Sequence, residues 1–329
     1  MRIFQAERRI VLTGTSDEAL FAPELEYYSN HNQYPVTLFG KPIVNLYRNI
    51  NVQILITRAC NFKCKFCIEN DGIKTKNDGS YWLGNLVHST LSQYREQGIM
   101  PNVSITGGEP TLLPNRLFNI LDIVKSYHGI KNVNVNTNGY DLSVIRSFPG
   151  VRINLSRHHW WSGMNRQIFG DAYTRENVKD FSGVTLQCVL MQNYVNSVPM
   201  MKEYMDRYID KGADGFSFRG LTTLDVDKGY QVEKVFSEQN VVDIKVILDT
   251  VAKDADFEFV QQKIGDHYIF EIYKYRGKYV RFTYSNFNWL RQIETDERKS
   301  GKSFSRATVI HPNAVYSGWT YDLNKLVTK

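Results

Sequence analysis

Six short β-type runs alternate with helical stretches from residue 51 onward, and this alternation constrains the fold more than any other feature of the chain. The β-type runs are 51–57, 102–106, 132–136, 151–156, 184–191 and 215–219. The predicted helices between them include 80–98, 115–127 and 197–211. Because parallel strands need long crossover connections, usually helices, the alternation predicts an α/β fold with a parallel sheet. A partial or complete barrel and an open doubly wound sheet both satisfy this pattern.

The segments on either side of this region are predicted to be mostly β. The stretch "YPVTLFGKPIVNLYRN" reads as two strands around a Gly-Pro turn, which indicates an ordered β extension at the amino-terminal end. Strand-like runs such as "HYIFEIYKY" and "KYVRFTY" indicate a mostly β cap at the other end, interrupted by a charged run at 295–303 that predicts a mobile loop. The predicted divisions are an extension at 1–50, an α/β domain at 51–252 and a cap or substrate region at 253–329.

The predicted strands carry an apolar face and a polar face, because successive side chains of a strand point to opposite sides. The polar face comprises Gln53, Thr57, Ser104, Thr106, Asn134, Asn136, Arg152, Asn154, Ser156, Thr185, Gln187, Ser217 and Arg219. A sealed barrel usually fills its interior with bulky apolar side chains, so this pattern predicts a hydrogen-bonded lumen that water or a polar ligand enters. A network of amides that pair with each other and hold no ligand is the alternative.

Composition and charge restrict the class of protein only loosely. Hydrophobic residues at 42% and charged residues at 22% are ordinary for a globular protein and exclude disorder of the whole chain. The net charge of +6 suits an anionic or phosphorylated partner but does not by itself indicate nucleic-acid binding. No run of 18 or more apolar residues occurs and the chain starts without an apolar leader, so we expect no membrane association and a cytoplasmic location.

Three of the four cysteines lie close together in the stretch "ACNFKCKFCIEN", directly after the first predicted strand. Cys60, Cys64 and Cys67 have the spacing C-x3-C-x2-C at the carboxyl end of that strand, where α/β folds bind ligands. A structural zinc site would need a fourth ligand, and the nearest later histidine is His88. A dithiol redox centre would leave Cys60 without a role. An iron-sulfur cluster held by three thiolates would leave one iron open to another ligand.

The cysteine spacing and several later motifs resemble the radical S-adenosylmethionine enzymes. Phe66 precedes the third cysteine, and "ITGGEP" at 105–110 is similar to the second-strand motif of that family. The segments "NTNG", "INLS" and "FSFRGL" are similar to its third, fourth and sixth strand ends. The resemblance covers about residues 51–252 and implies the family's partial (β/α)6 TIM-type barrel.

The resemblance also implies the cofactors, the site residues and the reaction. Cys60, Cys64 and Cys67 would bind a 4Fe-4S cluster whose open iron takes the amino and carboxylate groups of S-adenosylmethionine. The residues implied to contact the cofactor are Phe66, Gly107, Gly108, Glu109, Asn136, Ser156 and Arg219. Cleavage of S-adenosylmethionine would give a 5'-deoxyadenosyl radical that abstracts hydrogen from a polar biosynthetic substrate: a nucleotide, a sugar or a modified peptide. An electron donor such as flavodoxin or ferredoxin would reduce the cluster.

Other residues leave further interpretations open. His158 and His159 in "RHHWW" follow the fourth strand and are candidates for proton transfer or for packing. Cys188 is a candidate hydrogen-atom donor, although its alternation with Leu186 and Leu190 favours an inert core thiol. No cysteine follows Cys188, so we expect no auxiliary cluster in the carboxyl-terminal region.

Two rival functions remain. Basic residues alternate with tyrosines at 273–281, as in a surface that binds nucleic acid, which makes an RNA modifier the alternative of the same chemistry. The same pattern is typical of the solvent face of a hairpin. The alternative of a different class is a non-catalytic zinc or redox module.

Overall fold

The structure is a computed structural model, and it describes residues 34–46, 50–67, 80–170, 178–221, 231–301, 304–318 and 325–328. These residues belong to two compact units. Unit 1 contains the described residues within 62–71 and 154–290, and unit 2 contains those within 27–61, 72–153 and 291–329.

Unit 2 begins with the hairpin that the sequence predicts. Strands β1 (Tyr34–Leu38) and β2 (Lys41–Asn45) pair antiparallel, and Phe39 and Gly40 form the turn with φ of 52° and 73°. Positive φ at both central residues is the backbone of a type I′ turn, whose twist matches that of the flanking strands. The short strand β12 (Phe304–Ser305) adds to β2 in parallel.

The main sheet of unit 2 has parallel strands joined through helices. Strands β3 (Asn51–Leu55), β4 (Asn102–Thr106) and β5 (Val133–Thr137) pair in that order, all parallel. The helices of this region are α1 (Ser80–Glu96), a 3-10 turn (Pro110–Leu112), α2 (Pro114–Ser126) and α3 (Ser143–Arg146). On the other edge of β3, the sheet continues with β13 (Thr308–His311) in parallel, then β14 (Ala314–Tyr316) and β15 (Lys325–Thr328) in antiparallel pairing.

Unit 1 repeats the pattern and ends in an antiparallel meander. Strand β6 (Val151–Ser156) starts in unit 2 and ends in unit 1. The later elements of unit 1 are, in chain order, α4 (Ser162–Phe169), β7 (Val184–Leu190), α5 (Val198–Ile209), β8 (Gly215–Gly220), α6 (Gln231–Asn240), α7 (Ile244–Lys253), β9 (Phe257–Ile264), β10 (Tyr268–Tyr275) and β11 (Lys278–Ser285). Strands β7 and β8 are parallel, and β11 pairs in parallel with β8. The three last strands form the meander β9-β10-β11. Helix α8 (Phe287–Lys299) follows.

The core forms where the periodicity of the sequence predicts it. In α1, Leu83, Leu86, Val87 and Leu91 are buried at helical spacing, and in β3 and β4 the alternate residues such as Val52 and Ile105 are completely buried. Each buried aliphatic side chain stabilises the fold by about 1.5–3 kcal/mol relative to exposure. The parallel strands with their helices, and the mostly β carboxyl-terminal region, confirm the predicted α/β fold class of a partial TIM-type barrel.

The expectation of a mobile loop at 295–303 is wrong for its first five residues, which continue helix α8 to Lys299. Asp296, Arg298 and Lys299 are exposed on this helix, whose buried side carries Leu290 and Ile293. Arg306 also binds Glu297 through both terminal nitrogens, at 2.6 and 3.0 Å, and so holds the last turns in place. Residues 302 and 303 lie outside the described residues.

None of the helices that the structure describes is long and apolar enough to cross a bilayer.

Candidate active site

Two glycines at the end of β4 pack backbone to backbone against the start of the cysteine loop. A Cβ atom on Gly107 would lie 2.4 Å from Thr57 O, and one on Gly108 would lie 2.1 Å from Ala59 O. Gly107 also has φ of +136°, which L side chains rarely adopt. The backbones are joined by bonds from Gly108 N to Thr57 O at 2.7 Å and from Glu109 N to Ala59 O at 2.8 Å. The two glycines therefore set the path of the chain that leads into Cys60.

Glu109 is completely buried, and its carboxylate joins the ends of β4 and β5. Oε1 accepts hydrogen bonds from Thr111 N at 2.9 Å, Thr111 Oγ1 at 2.6 Å and Thr137 Oγ1 at 2.7 Å. Oε2 accepts one from Asn138 N at 2.6 Å. Burial raises the pKa of Glu109 above its ordinary value, and the four hydrogen bonds oppose that rise because they favour the ionised form. The carboxylate thus orders the loop after β5.

That loop brings Asn138 to the first cysteine of the cysteine loop. Asn138 Nδ2 lies 3.8 Å from Cys60 Sγ and donates to Asn61 Oδ1 at 2.8 Å. Cys60 itself is half-buried. The sequence indicates this loop through the segment "NTNG", but it does not identify Asn138 as the residue that reaches a cysteine.

The second half of the cysteine loop belongs to unit 1 and packs on the end of helix α4. Lys63 N donates to Phe169 O at 2.9 Å, and the ring of Phe62 stacks on the ring of Phe169 at 4.9 Å. Cys67 N donates to Cys64 O at 3.1 Å, which closes a tight turn. Both cysteines are half-buried.

His158 lies beneath this loop and is buried. Its ring meets Phe66 edge to face at 5.1 Å, and its Nδ1 accepts a bond from Val189 N at 3.1 Å, so the neutral ring carries its proton on Nε2. Burial, together with the nearby charge of Arg157, lowers the pKa of His158 to about 3. A histidine held neutral in this way favours packing over proton transfer.

Cys188 is also buried, and its thiol donates to His158 O at 3.5 Å. Burial raises the pKa of the Cys188 thiol far above its usual range. These surroundings favour the core thiol that its position in β7 indicates.

The other candidates of "RHHWW" are held by local contacts. His159 Nδ1 accepts a bond from Trp161 N at 2.9 Å, and its ring stacks on Trp160 at 4.0 Å. Burial lowers the pKa of His159. Asn165 Oδ1 accepts from the backbone nitrogens of both His158 and His159, at 3.0 and 3.1 Å. This segment is a hydrogen-bonded loop, and Asn165 is a fixing residue that the sequence pattern does not show.

The sequence leaves two interpretations of the polar strand faces, a lumen that holds a ligand and a network of amides that pair with each other. The structure contains such paired amides. In unit 2, Ser104 Oγ donates to Asn134 Oδ1 at 2.8 Å, and Asn136 Nδ2 donates to Ser104 Oγ at 3.0 Å. All three side chains are only partly buried, so the paired amides line a face that still has accessible surface. Ser156, at the end of β6, is half-buried.

In unit 1 the polar face carries three cations on three strands of one sheet. Arg219 of β8 pairs with Thr283, Thr283 pairs with Phe270, and Phe270 pairs with Lys263, so Arg219 and Lys263 are in one cross-strand row. Arg281 lies in the adjacent row, opposite Ser217. The sequence does not reveal this set, because the partners of β9 to β11 depend on long-range pairing.

These three cations have different surroundings. Arg281 donates to Ser217 Oγ from Nε and Nη2, at 3.3 and 3.2 Å. The Lys263 ammonium lies 5.2 Å from the centre of the Phe270 ring, and desolvation lowers its pKa. Among the described residues, neither Arg219 nor Lys263 has a carboxylate partner. We call Arg219, Lys263 and Arg281 the cationic set.

The other basic residues of the meander are paired with carboxylates. Lys274 binds Glu258 at 3.1 Å, Arg276 binds Asp206 at 2.8 Å, and Lys278 lies 4.0 Å from Asp214. Tyr273 and Tyr275 are buried. Within 273–281, three basic residues thus lie in ion pairs, two tyrosines lie in the core, Arg281 lies against Ser217 and Tyr279 is exposed, an arrangement typical of a hairpin surface.

The three clustered cysteines have the chemistry that an iron-sulfur cluster requires. Cys60, Cys64 and Cys67 form no disulfide within the described ranges and keep accessible surface, whereas Cys188 is buried. No three His, Cys, Asp or Glu side chains of the described residues converge closely enough to hold one metal ion. Thiolates that each bind a different iron of a cluster need no such convergence. As donor groups, three such thiolates have the chemistry that a cluster binds.

Comparison with known proteins matches part of the chain to one family. Residues 54–181 match the sequence profile of the Radical SAM superfamily, a match that contains the three cysteines, the "GGEP" glycines and Asn138. Over these residues the chain therefore resembles the radical S-adenosylmethionine domain. Members of this superfamily use a 4Fe-4S cluster and S-adenosylmethionine.

The chain is also similar to individual curated proteins. A protein named probable GTP 3',8-cyclase from Saccharolobus solfataricus is 30% identical over 167 residues, which cover 48% of this chain and 50% of the relative. The GTP 3',8-cyclase of Shewanella denitrificans is 33% identical over 92 residues, covering 28% and 26%. The molybdenum cofactor biosynthesis protein moc-5 of Caenorhabditis elegans is 31% identical over 101 residues, covering 31% and 16%. Each match spans half of the relative or less.

Proposed function

We propose that the protein is a radical S-adenosylmethionine enzyme whose substrate is an anionic nucleotide, with GTP as the first candidate. When bound, the cluster and S-adenosylmethionine supply the 5'-deoxyadenosyl radical that abstracts hydrogen from the substrate. The protein contributes by binding both partners, orienting the substrate C–H bond and excluding water. Ferredoxin or flavodoxin is the proposed source of the electron.

The residues proposed for the cofactors are those of the family motifs. Cys60, Cys64 and Cys67 would hold the cluster, and the fixed backbone after Gly107 would form one wall of the site. Phe66, Gly107, Gly108, Glu109, Asn136, Ser156 and Arg219 remain the proposed contacts of S-adenosylmethionine. Glu109 would act chiefly by ordering its loop, since its carboxylate already accepts four bonds from the protein.

The observation that carries the nucleotide assignment is the cationic set of unit 1. Arg219 stands at the carboxyl end of β8, the end at which barrels of this type bind substrates. Lys263 and Arg281 lie on the strands that extend the same sheet, and the described residues place no carboxylate against Lys263. Arg219 and Lys263, which have no carboxylate partner among the described residues, suit a phosphate-bearing ligand better than a neutral sugar or peptide.

The comparisons support the same choice of substrate. Two of the relatives above are named for a reaction of GTP, and the longest of the three matches covers the chain to 48%. Because these matches span at most half of each relative, the cyclisation itself is not transferred to this chain.

Binding of GTP, GMP and guanosine to the anaerobically reconstituted protein tests this proposal. We expect affinity to fall in that order, and we expect Lys263→Gln and Arg281→Gln each to weaken GTP binding about tenfold, the loss of one charged hydrogen bond. Lys274→Gln is the matched control, because Lys274 lies on the same sheet face but is paired with Glu258. The control should bind GTP as the parent does.

Two results would contradict the nucleotide assignment. One is equal affinity for guanosine and GTP, which would show that phosphate contributes nothing. The other is an equal loss of affinity in the Lys274→Gln control, which would show a general charge effect rather than a site.

A further inference from the structure

We propose that Asn138 is a positioning residue for the iron-sulfur cluster: its side-chain amide donates a hydrogen bond to the sulfur of Cys60 and raises the reduction potential of the cluster. The inference rests on the proposed function, since it requires a cluster at Cys60.

The amide of Asn138 has one hydrogen available for each of two acceptors. Nδ2 lies 2.8 Å from Asn61 Oδ1 and 3.8 Å from Cys60 Sγ. An amide nitrogen carries two hydrogens, so it donates to the oxygen and to the sulfur at the same time. The bond to Asn61, the residue next to the cysteine, sets the plane of the amide and turns its second hydrogen toward Sγ.

The side chain is fixed from its other end by the loop after β5. Asn138 N donates to Glu109 Oε2 at 2.6 Å, and Asn138 Oδ1 accepts from Tyr140 N at 3.1 Å. Gly139 N donates to Thr137 Oγ1 at 2.9 Å, and Gly139 has φ of 82°, a backbone that glycine adopts readily. Buried Glu109 therefore holds the loop, and the loop holds the amide against Cys60.

A donor at this sulfur acts on the electron affinity of the cluster. Reduction adds one electron, and part of the added negative charge lies on the thiolate sulfurs. The amide dipole therefore stabilises the reduced form more than the oxidised form, and loss of the hydrogen bond lowers the potential. At a given reductant strength, a smaller fraction of protein without this hydrogen bond would then hold a reduced cluster.

The substitution Asn138→Ser removes the hydrogen bond to Cys60 but keeps the hydrogen bond that Asn138 accepts in the turn. Serine keeps a side-chain oxygen that accepts from Tyr140 N, but its hydroxyl is too short to reach Cys60. Both proteins are reconstituted with iron and sulfide without oxygen, and the potential is titrated by the electron paramagnetic resonance signal of the reduced cluster. We expect equal iron and sulfide per chain and a lower midpoint potential in the variant. In Asn132→Ser the potential should equal that of the parent, because Asn132 binds Asn102 at the other end of β5.

A second measurement needs no substitution. Parent protein labelled with nitrogen-15 in asparagine alone, reduced without S-adenosylmethionine, should show a nitrogen-15 coupling to the cluster spin in pulsed spectra. The inference is overturned by a fully loaded Asn138→Ser protein with an unchanged potential, or by the absence of this coupling. If Asn138→Ser does not fold, the coupling decides. A parent that binds no iron and sulfide refutes the proposed function instead.

Discussion

The ring of Phe66 meets the ring of His158 edge to face, with 5.1 Å between the ring centroids. Phe66 lies between Cys64 and Cys67, so this contact joins the cysteine loop to the segment that follows β6. His158 is itself fixed by the bond from Val189 N to its Nδ1. The buried histidine therefore supports the loop from below, a role that the sequence motif alone does not reveal.

Phe66→Ala should release the cysteine loop and speed the loss of iron to a chelator about fivefold. The expected effect follows from the contribution of an aromatic pair, about 1 kcal/mol beyond its buried area. The measurement is the rate of iron release from reconstituted protein. Phe148→Ala is the control, since Phe148 makes a similar edge contact with Phe118 at 5.1 Å in unit 2. Equal rates in parent and Phe66→Ala would contradict this prediction.

His158→Asn should flatten the dependence of stability on pH. The pKa of His158 is about 3 in the folded protein, below its ordinary value of 6.5, so between these values the unfolded chain takes up a proton that the folded protein does not. The contribution of His158 to the free energy of unfolding is therefore at its full value above pH 6.5. It decreases as the pH falls below that value, by up to about 1.4 kcal/mol per pH unit. Asparagine retains an acceptor for Val189 N and cannot be protonated in this range. Urea unfolding of the parent and of His158→Asn at several pH values checks the prediction. It is refuted if the free energy of unfolding depends on pH equally in both proteins.

Gly108→Ala should destabilise the protein more than Gly98→Ala. A Cβ at Gly108 would lie 2.1 Å from the backbone oxygen of Ala59, whereas at Gly98 it meets nothing within 4 Å and costs only the strain of φ at +72°. We expect a loss of about 3 kcal/mol at Gly108, the upper end of overpacking effects, and about 1 kcal/mol at Gly98. Chemical unfolding measures both. Equal losses would show that the close approach of the two backbones is not required.

Cys188 should resist alkylation in the folded, cluster-free protein while the other three cysteines react. Burial raises its pKa and shields the thiol, whereas Cys60, Cys64 and Cys67 keep accessible surface. Mass spectrometry after brief treatment with iodoacetamide counts and locates the labels, and denaturant should expose all four cysteines. Rapid labelling of Cys188 in the folded protein would reopen its role as a hydrogen-atom donor.

The sequence predicts the local elements well because they depend on local patterns. The runs at 102–106 and 151–156 become β4 and β6 with the same bounds, and alternation identifies buried residues such as Val103 and Ile153. The position of the cysteine loop after β3 follows from the same pattern. The predicted divisions at 1–50, 51–252 and 253–329 remain a hypothesis, which limited proteolysis would test.

The rest depends on pairing between distant segments, which periodicity does not encode. Alternation shows which face of β11 is buried, but not that β11 joins β8 or that β13 joins β3. Arg219 and Lys263 come into one cross-strand row only through three successive strand pairings. The contact of Asn138 with Cys60 depends on a loop backbone set by Gly139 and Glu109. The charged run after Thr295 has loop composition, yet its residues up to Lys299 continue a helix whose earlier turns bury Leu290 and Ile293.

The most direct test of the central claim is anaerobic reconstitution followed by reaction with S-adenosylmethionine and dithionite. We expect about four irons and about four sulfides per chain, and release of 5'-deoxyadenosine that requires each of Cys60, Cys64 and Cys67. One zinc per chain without sulfide, or a full cluster that never yields 5'-deoxyadenosine, would contradict the account.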